Sequence, residues 1–300
     1  MARLPFLSRL SPASACLAML CLSAPAPARS LAEIVRTHEL RACIVAFHPA
    51  AATAAPPACR ENCHFSGPVY DEVQTFSRYL GKAIRLRTLR VEWDEQFFNQ
   101  HDQTDREASY TPKLLADGSC DVFPNRLTKN AWRLKKMDFV TLFSSRLMVV
   151  AHASQQGKLL SADQLAGRRA AVLKNSTYYT WLLEQNVSRY RANPVRLQLM
   201  SVEDSLRAVD DGQVDFTLLD SDIAIWSTRH QFKHAYVAFP VGGKDEIGWG
   251  MRKEDKDLQA AVADFFAQQR KSEHSDLNRI WTRYYGLSLN KLIILVNSTE

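Results

Sequence analysis

Several places in the sequence hold side chains whose type and setting can do chemistry. Arg133 opens a short basic stretch, Arg133-Leu-Lys-Lys, ahead of Phe139. A guanidinium makes two parallel charge-assisted bonds to a carboxylate, which an ammonium cannot reproduce, so Arg133 is a candidate anion clamp. Ser176 and Thr177 follow the apolar run 170–173 and open a helical pattern. Their hydroxyls and the free N–H groups of a first turn form an anion site, a position that also suits an ordinary N-cap. Asp220 lies just past the apolar run 214–219, where ligand sites of α/β proteins gather; a solvated turn with Asp222 beside it is the plainer alternative. Cys59-x-x-x-Cys63-His64 has one residue more between its cysteines than covalent haem attachment uses, so a disulfide is the chemistry expected there. His38, His48, His101, His152, His230 and His234 are scattered through mostly polar segments, with no HExxH spacing and no Ser/His/Asp arrangement. No metal, no cofactor and no catalytic residue are expected.

Strands alternating with amphipathic helices must position these groups, the pattern of an α/β protein. Strands are predicted over 40–47, 84–91, from Asp121 onward, and over 146–151, 169–173, 195–199, 214–219 and 247–251. Helices are predicted over 31–36, 70–80, 110–116, 176–185, 202–210, 258–269 and 277–285. In the helix over 70–80, Val73, Phe76 and Leu80 recur at spacings of three and four. A Pro/Ala-rich loop covers 48–58 and a polar loop 99–109. The apolar run 292–296 is too short to cross a membrane and is expected to cover the core of a lobe.

Residues 1–28 read as an export signal. Arg3 and Arg9 are its basic start, the segment 15–22 is its apolar core, and Ala26-x-Ala28 is its cleavage site. Losing this segment lowers the formal charge of +6 by two. The remaining basic residues are dispersed, which argues against a nucleic-acid partner. Cys43, Cys59, Cys63 and Cys120 are left, an even set that suits two disulfides in an oxidising compartment. A periplasmic, soluble monomer is expected.

An ordered series of segments carries a family resemblance. Leu114-Leu-Ala-Asp-Gly-Ser-Cys-Asp-Val-Phe is followed by Leu127-Thr128 and Arg133, then by Asp138-Phe-Val-Thr-Leu-Phe-Ser. Leu165-Ala-Gly-Arg-Arg-Ala-Ala-Val-Leu-Lys-Asn-Ser-Thr, Gly212-Gln-Val-Asp-Phe-Thr-Leu-Leu-Asp220, Gly248-Trp-Gly-Met-Arg-Lys-Glu-Asp and Trp281-Thr-Arg-Tyr-Tyr-Gly286 complete it. The series resembles the type II periplasmic solute-binding proteins, in particular the family 3 polar amino-acid binders of ABC transporters. The resemblance implies two Rossmann-like α/β lobes joined by a two-strand hinge, one formed by 29–146 plus 246–300 and the other by 147–245. It also implies an amino-acid-like ligand, with Arg133, Ser176 and Thr177 on its carboxylate and Asp220 on its ammonium. Phe47 would serve as an aromatic wall, with Trp132 and Tyr178 as further candidates. Thr128 stands five residues before Arg133 where the family has Thr three before it, which reads as a two-residue insertion, and Asn175 replaces a family Gly.

In that fold the strand of Cys43 neighbours the strand after Cys120, which allows a 43–120 bridge; other pairings with Cys59 and Cys63 stay open. The implied partner is a membrane permease or a sensor. Related scaffolds also precede the catalytic domain of membrane-bound lytic transglycosylases, for which 300 residues leave no room, and a few catalyse dehydrations. Binding rather than catalysis is the expectation.

Overall fold

The computed structural model describes residues 29–298, so the export signal expected over 1–28 lies outside the described residues. The chain begins with α1 (Leu31–Thr37), β1 (Glu39–Val45), the short strands β2 (Thr53–Ala55) and β3 (His64–Ser66), and α2 (Pro68–Leu80). Then come β4 (Arg85–Val91), α3 (Lys113–Ala116), β5 (Phe123–Thr128), α4 (Ala131–Leu134) and β6 (Asp138–His152). The middle of the chain forms β7 (Arg169–Val172), α5 (Thr177–Val187), β8 (Arg196–Leu199), α6 (Val202–Asp210), β9 (Phe216–Asp220) and α7 (Ser221–His230). Last are β10 (Ala235–Met251), α8 (Lys256–Arg270), α9 (Asp276–Tyr285) and α10 (Leu289–Ser298).

Two long antiparallel strands organise the molecule. β6 and β10 pair from Asp138↔Met251 to His152↔Ala235. At one end β10 also pairs with β5, and β1 lies parallel to β4 and bridges to Val122 just before β5. At the other end β6 pairs with β9, which leads on to β7 and β8. Each end is thus a small α/β lobe, and β6 and β10 are the two strands that cross between them.

The sequence pattern stops both crossing strands short. No strand is predicted between 219 and 247, yet β10 runs through Pro240 and Gly242-Gly243, because its register against β6 shifts between Val241 and Lys244. Gly242 takes φ 67°, in the left-handed region glycine enters without steric cost. The helix expected over 110–116 shrinks to Lys113–Ala116, since Pro112 stands before its first residue and favours extended backbone ahead of it. Part of the loop over 48–58 pairs with 64–66 as the hairpin β2–β3, and the run 292–296 lies within α10, with Leu292 and Val296 buried.

The first lobe's core shows why α2 and α9 form where they do. α2 starts with Pro68 at its first turn and buries Val69, Val73 and Phe76. Gly67 precedes it because a side chain there would come within 2.7 Å of the Ala51 carbonyl oxygen. Ser275 caps α9 and Gly286 ends it with φ 76°. Phe76 packs edge-on against Trp249, and Phe143 against Trp281, with ring centroids 5.6 and 4.9 Å apart. Each such fully buried side chain contributes about 1.5–3 kcal/mol. Two disulfides, Cys43–Cys120 and Cys59–Cys63, close the alternatives left open by the sequence.

Candidate functional site

The cleft between the lobes gathers the polar residues that the sequence singles out. Asn130 caps α4 by accepting from the Arg133 amide, which turns the Arg133 side chain inward. Arg133 is 1% exposed; it donates to the Thr128 carbonyl at 2.9 Å and reaches the Asn175 carbonyl of the opposite lobe at 3.5 Å. Its guanidinium lies against the rings of Phe97, Trp132 and Trp93, 5.0–5.7 Å from their centroids. Burial holds it down at about 10, with Asp220 pulling the other way. Asn130, three residues ahead of Arg133, fills the place at which a displaced Thr128 suggests an insertion; Thr128 itself is buried and serves Arg133 through its backbone.

Across the cleft, Ser176 caps α5, accepting from the Tyr179 amide and donating to the Leu173 carbonyl. Its hydroxyl is therefore engaged within the chain, whereas Thr177 Oγ1 is buried with no partner among the described residues. Asn175 takes φ 59° and donates to Asp94 at 3.0 Å, a bond between lobes. Asp220 ends β9 and accepts from the Tyr178 hydroxyl at 2.8 Å, while its other oxygen is buried with no hydrogen bond among the described residues. Burial, and next the nearby Asp222, push its carboxyl up to about 7. Phe47 is half-buried and edge-on to Trp93 at 5.7 Å.

Phe47, Trp93, Tyr178, Asp220, Asp222 and Arg126 line a closed space of about 20 Å³, room for roughly one water. On the hinge side the cleft widens to a recess of about 520 Å³, bounded by Arg106, Trp132, Thr177, Trp181, Gly242 and Asp245. A larger open groove of about 660 Å³ runs along the outer edge of β4, away from all of these groups.

Three buried charges were not anticipated. Arg126 on β5 donates to Glu72 of α2 at 2.5 Å, to Asp222 of α7 at 2.8 Å, and to the Tyr285 hydroxyl. Burial works against its charge, but Glu72, Tyr285 and Asp222 outweigh that and hold the guanidinium above its ordinary range. Burial likewise pushes the carboxyls of Glu72 and Asp222 up, opposed by Arg126. A signal existed: Glu72 sits among Val69, Val73 and Phe76 on the apolar face of α2, and Arg126 sits inside a fully buried strand. A charge in either setting requires a partner.

Solved structures with this fold are numerous. One is a substrate-binding protein of an ABC uptake transporter from Streptococcus pneumoniae, with bound histidine, which matches at TM-score 0.67 and 15% identity over 86% of this chain and 96% of its own. The chain has the type II periplasmic binding protein fold. Among curated sequences, membrane-bound lytic murein transglycosylase F of Desulfosudis oleivorans is 27% identical over 222 residues, 72% of this chain and 43% of that protein. L-cystine-binding protein TcyJ of Escherichia coli K12 is 26% identical over 176 residues, 57% of this chain and 62% of its own length. The chain spans less than half the length of the transglycosylases it matches. No protein-family model matches it. This solute-binding fold places Arg133, Thr177 and Asp220 around one cleft, with no group of metal-ligating side chains among the described residues.

Proposed function

We propose that this protein is an exported binding protein that closes its lobes around a small amino-acid-like zwitterion and presents it to a membrane permease, without catalysing a reaction. The observation that carries this reading is a pair of opposite buried charges facing one cleft. Arg133 Nε, Thr177 Oγ1 and one oxygen of Asp220 are all buried without a hydrogen bond among the described residues. Stripped of water, such atoms need a charged or polar ligand. A carboxylate satisfies Arg133 and Thr177, and an ammonium satisfies Asp220. The closed space beside Asp220 is far smaller than an amino acid, so entry requires the lobes to part about β6 and β10.

A second reading has its own support. The similarity to murein transglycosylases of more than twice the matched length favours a role as a ligand-sensing module that reports to an enzyme or a membrane receptor. Both readings need the same ligand site. A thermal-shift panel of amino acids, opines and small carboxylates tests it, because any ligand of the folded state raises the unfolding midpoint. Absence of a shift across the panel rejects the site. Binding with recruitment of a permease supports transport, and binding that alters a partner's enzymatic activity supports sensing.

A further inference from the structure

The Arg126 side chain sits in a cage suited to a guanidinium group. Glu72 and Asp222 each accept from a different terminal nitrogen, at 2.5 and 2.8 Å. Trp281 lies under the cation, 4.6 Å from its ring centroid, and donates its own Nε1–H to Glu72 at 2.9 Å, which fixes that carboxylate. The Tyr285 hydroxyl accepts from Arg126 and donates to the Ala50 carbonyl. Two carboxylates, an aromatic face and an oriented hydroxyl are the elements of guanidinium recognition. This cage opens onto the ligand cleft, since Arg126 and Asp222 line the same closed space as Phe47, Tyr178 and Asp220. Arg126 enters it from a backbone with φ 53°, a left-handed conformation that suits glycine and strains any residue with a side chain.

We infer that Arg126 is a built-in occupant of a guanidinium subsite and sets specificity by excluding ligands with cationic side chains from the cleft. The side chain supplies internally the cation that a basic ligand would bring, and it fills the space into which that ligand would extend. The selectivity rests on the cleft being the ligand site proposed above; the cage itself does not.

The test substitutes Arg126→Gly, which the local backbone accepts, and offers methylguanidinium chloride with methylammonium chloride as control. Methylguanidinium has no carboxylate and no amino-acid head, so its binding is independent of Arg133 and Asp220. The variant is expected to melt lower than the parent. Saturating methylguanidinium should raise its midpoint by about 5 °C relative to methylammonium while leaving the parent unmoved. Folding of the variant only when methylguanidinium is present supports the inference equally. Equal shifts in parent and variant overturn it, as does a variant that stays unfolded at every methylguanidinium concentration. A control variant, Arg126→Gly with Glu72→Gln and Asp222→Asn, removes the buried charges together. A shift that persists there overturns the assignment of these carboxylates. With the cage emptied, L-arginine should gain at least tenfold in affinity over the parent while L-citrulline does not; equal gains for both reject the exclusion role.

Discussion

At the scale of single residues, Asp220 carries the clearest pH signature. Its carboxyl stands at about 7 in the fold, against about 3.9 for an unperturbed Asp. The native state therefore favours the protonated form, and stability is fully present below the unfolded value and lost as pH rises toward 7. The loss is on the order of 4 kcal/mol at most. Asp220→Asn removes it, so the variant's advantage in thermal unfolding should grow from about pH 4 to 7 and then level off; a constant difference across that range would contradict the assignment. Ligand binding has the opposite slope. An ammonium requires ionised Asp220, so affinity should weaken about tenfold per pH unit below 7, readable by calorimetry. Arg133→Ala should abolish every carboxylate-dependent thermal shift, and a surviving shift would remove Arg133 from the site. The sequence singled out Arg133, Thr177 and Asp220 as candidates because each follows a strand or opens a helix in a recognisable series. It signalled that Glu72 and Arg126 need partners but hid which, because Glu72 and Asp222 lie 54 and 96 residues from Arg126 along the chain and no local pattern joins them.

At the scale of elements, the crossing strands and the first lobe's sheet hold the positions of these groups. Gly248 on β10 lies so close to β6 that an added Cβ would stand 2.2 Å from the Val140 carbonyl oxygen. Gly248→Ala should cost about 1–3 kcal/mol in denaturant unfolding; a neutral result would mean that the two strands can separate freely there. The Cys43–Cys120 bridge ties β1 to the segment entering β5 across 77 residues of chain, whereas Cys59–Cys63 spans only four. Replacing the first pair by alanines should cost about 2–5 kcal/mol, and replacing the second markedly less, in the same unfolding assay. Most helices and the inner parts of the strands could be read from apolar periodicity. The full length of β10 could not, because Pro240 and the two glycines are turn signals that only tertiary pairing with β6 overrides.

At the scale of the whole molecule, the lobes are joined by more than two strands. Asp94–Asn175, Arg106–Thr180, Arg126–Asp222 and His48–Ser227 are hydrogen bonds that reach across the cleft. His48 approaches Glu203 at 3.8 Å, but burial lowers the imidazole to about 4, so this contact is not an ion pair near neutral pH. Opening must break these bonds before a ligand enters. The observed association rate, followed through the fluorescence of Trp93 and Trp132, should therefore plateau as ligand concentration rises; a strictly linear dependence would show a cleft that stands open. The order in which the chain is laid down adds a last consequence. β5 finds its sheet neighbour in β10, more than a hundred residues later, so the first lobe cannot finish its sheet until nearly all of the chain is present. Pairings of such long range form slowly. The bond between Cys43 and Cys120 joins two early neighbours of that sheet and shortens the search for the third. Refolding should accordingly be faster from the oxidised chain than from the reduced one, and the bridge serves the folding polypeptide as a placeholder for a strand still to arrive.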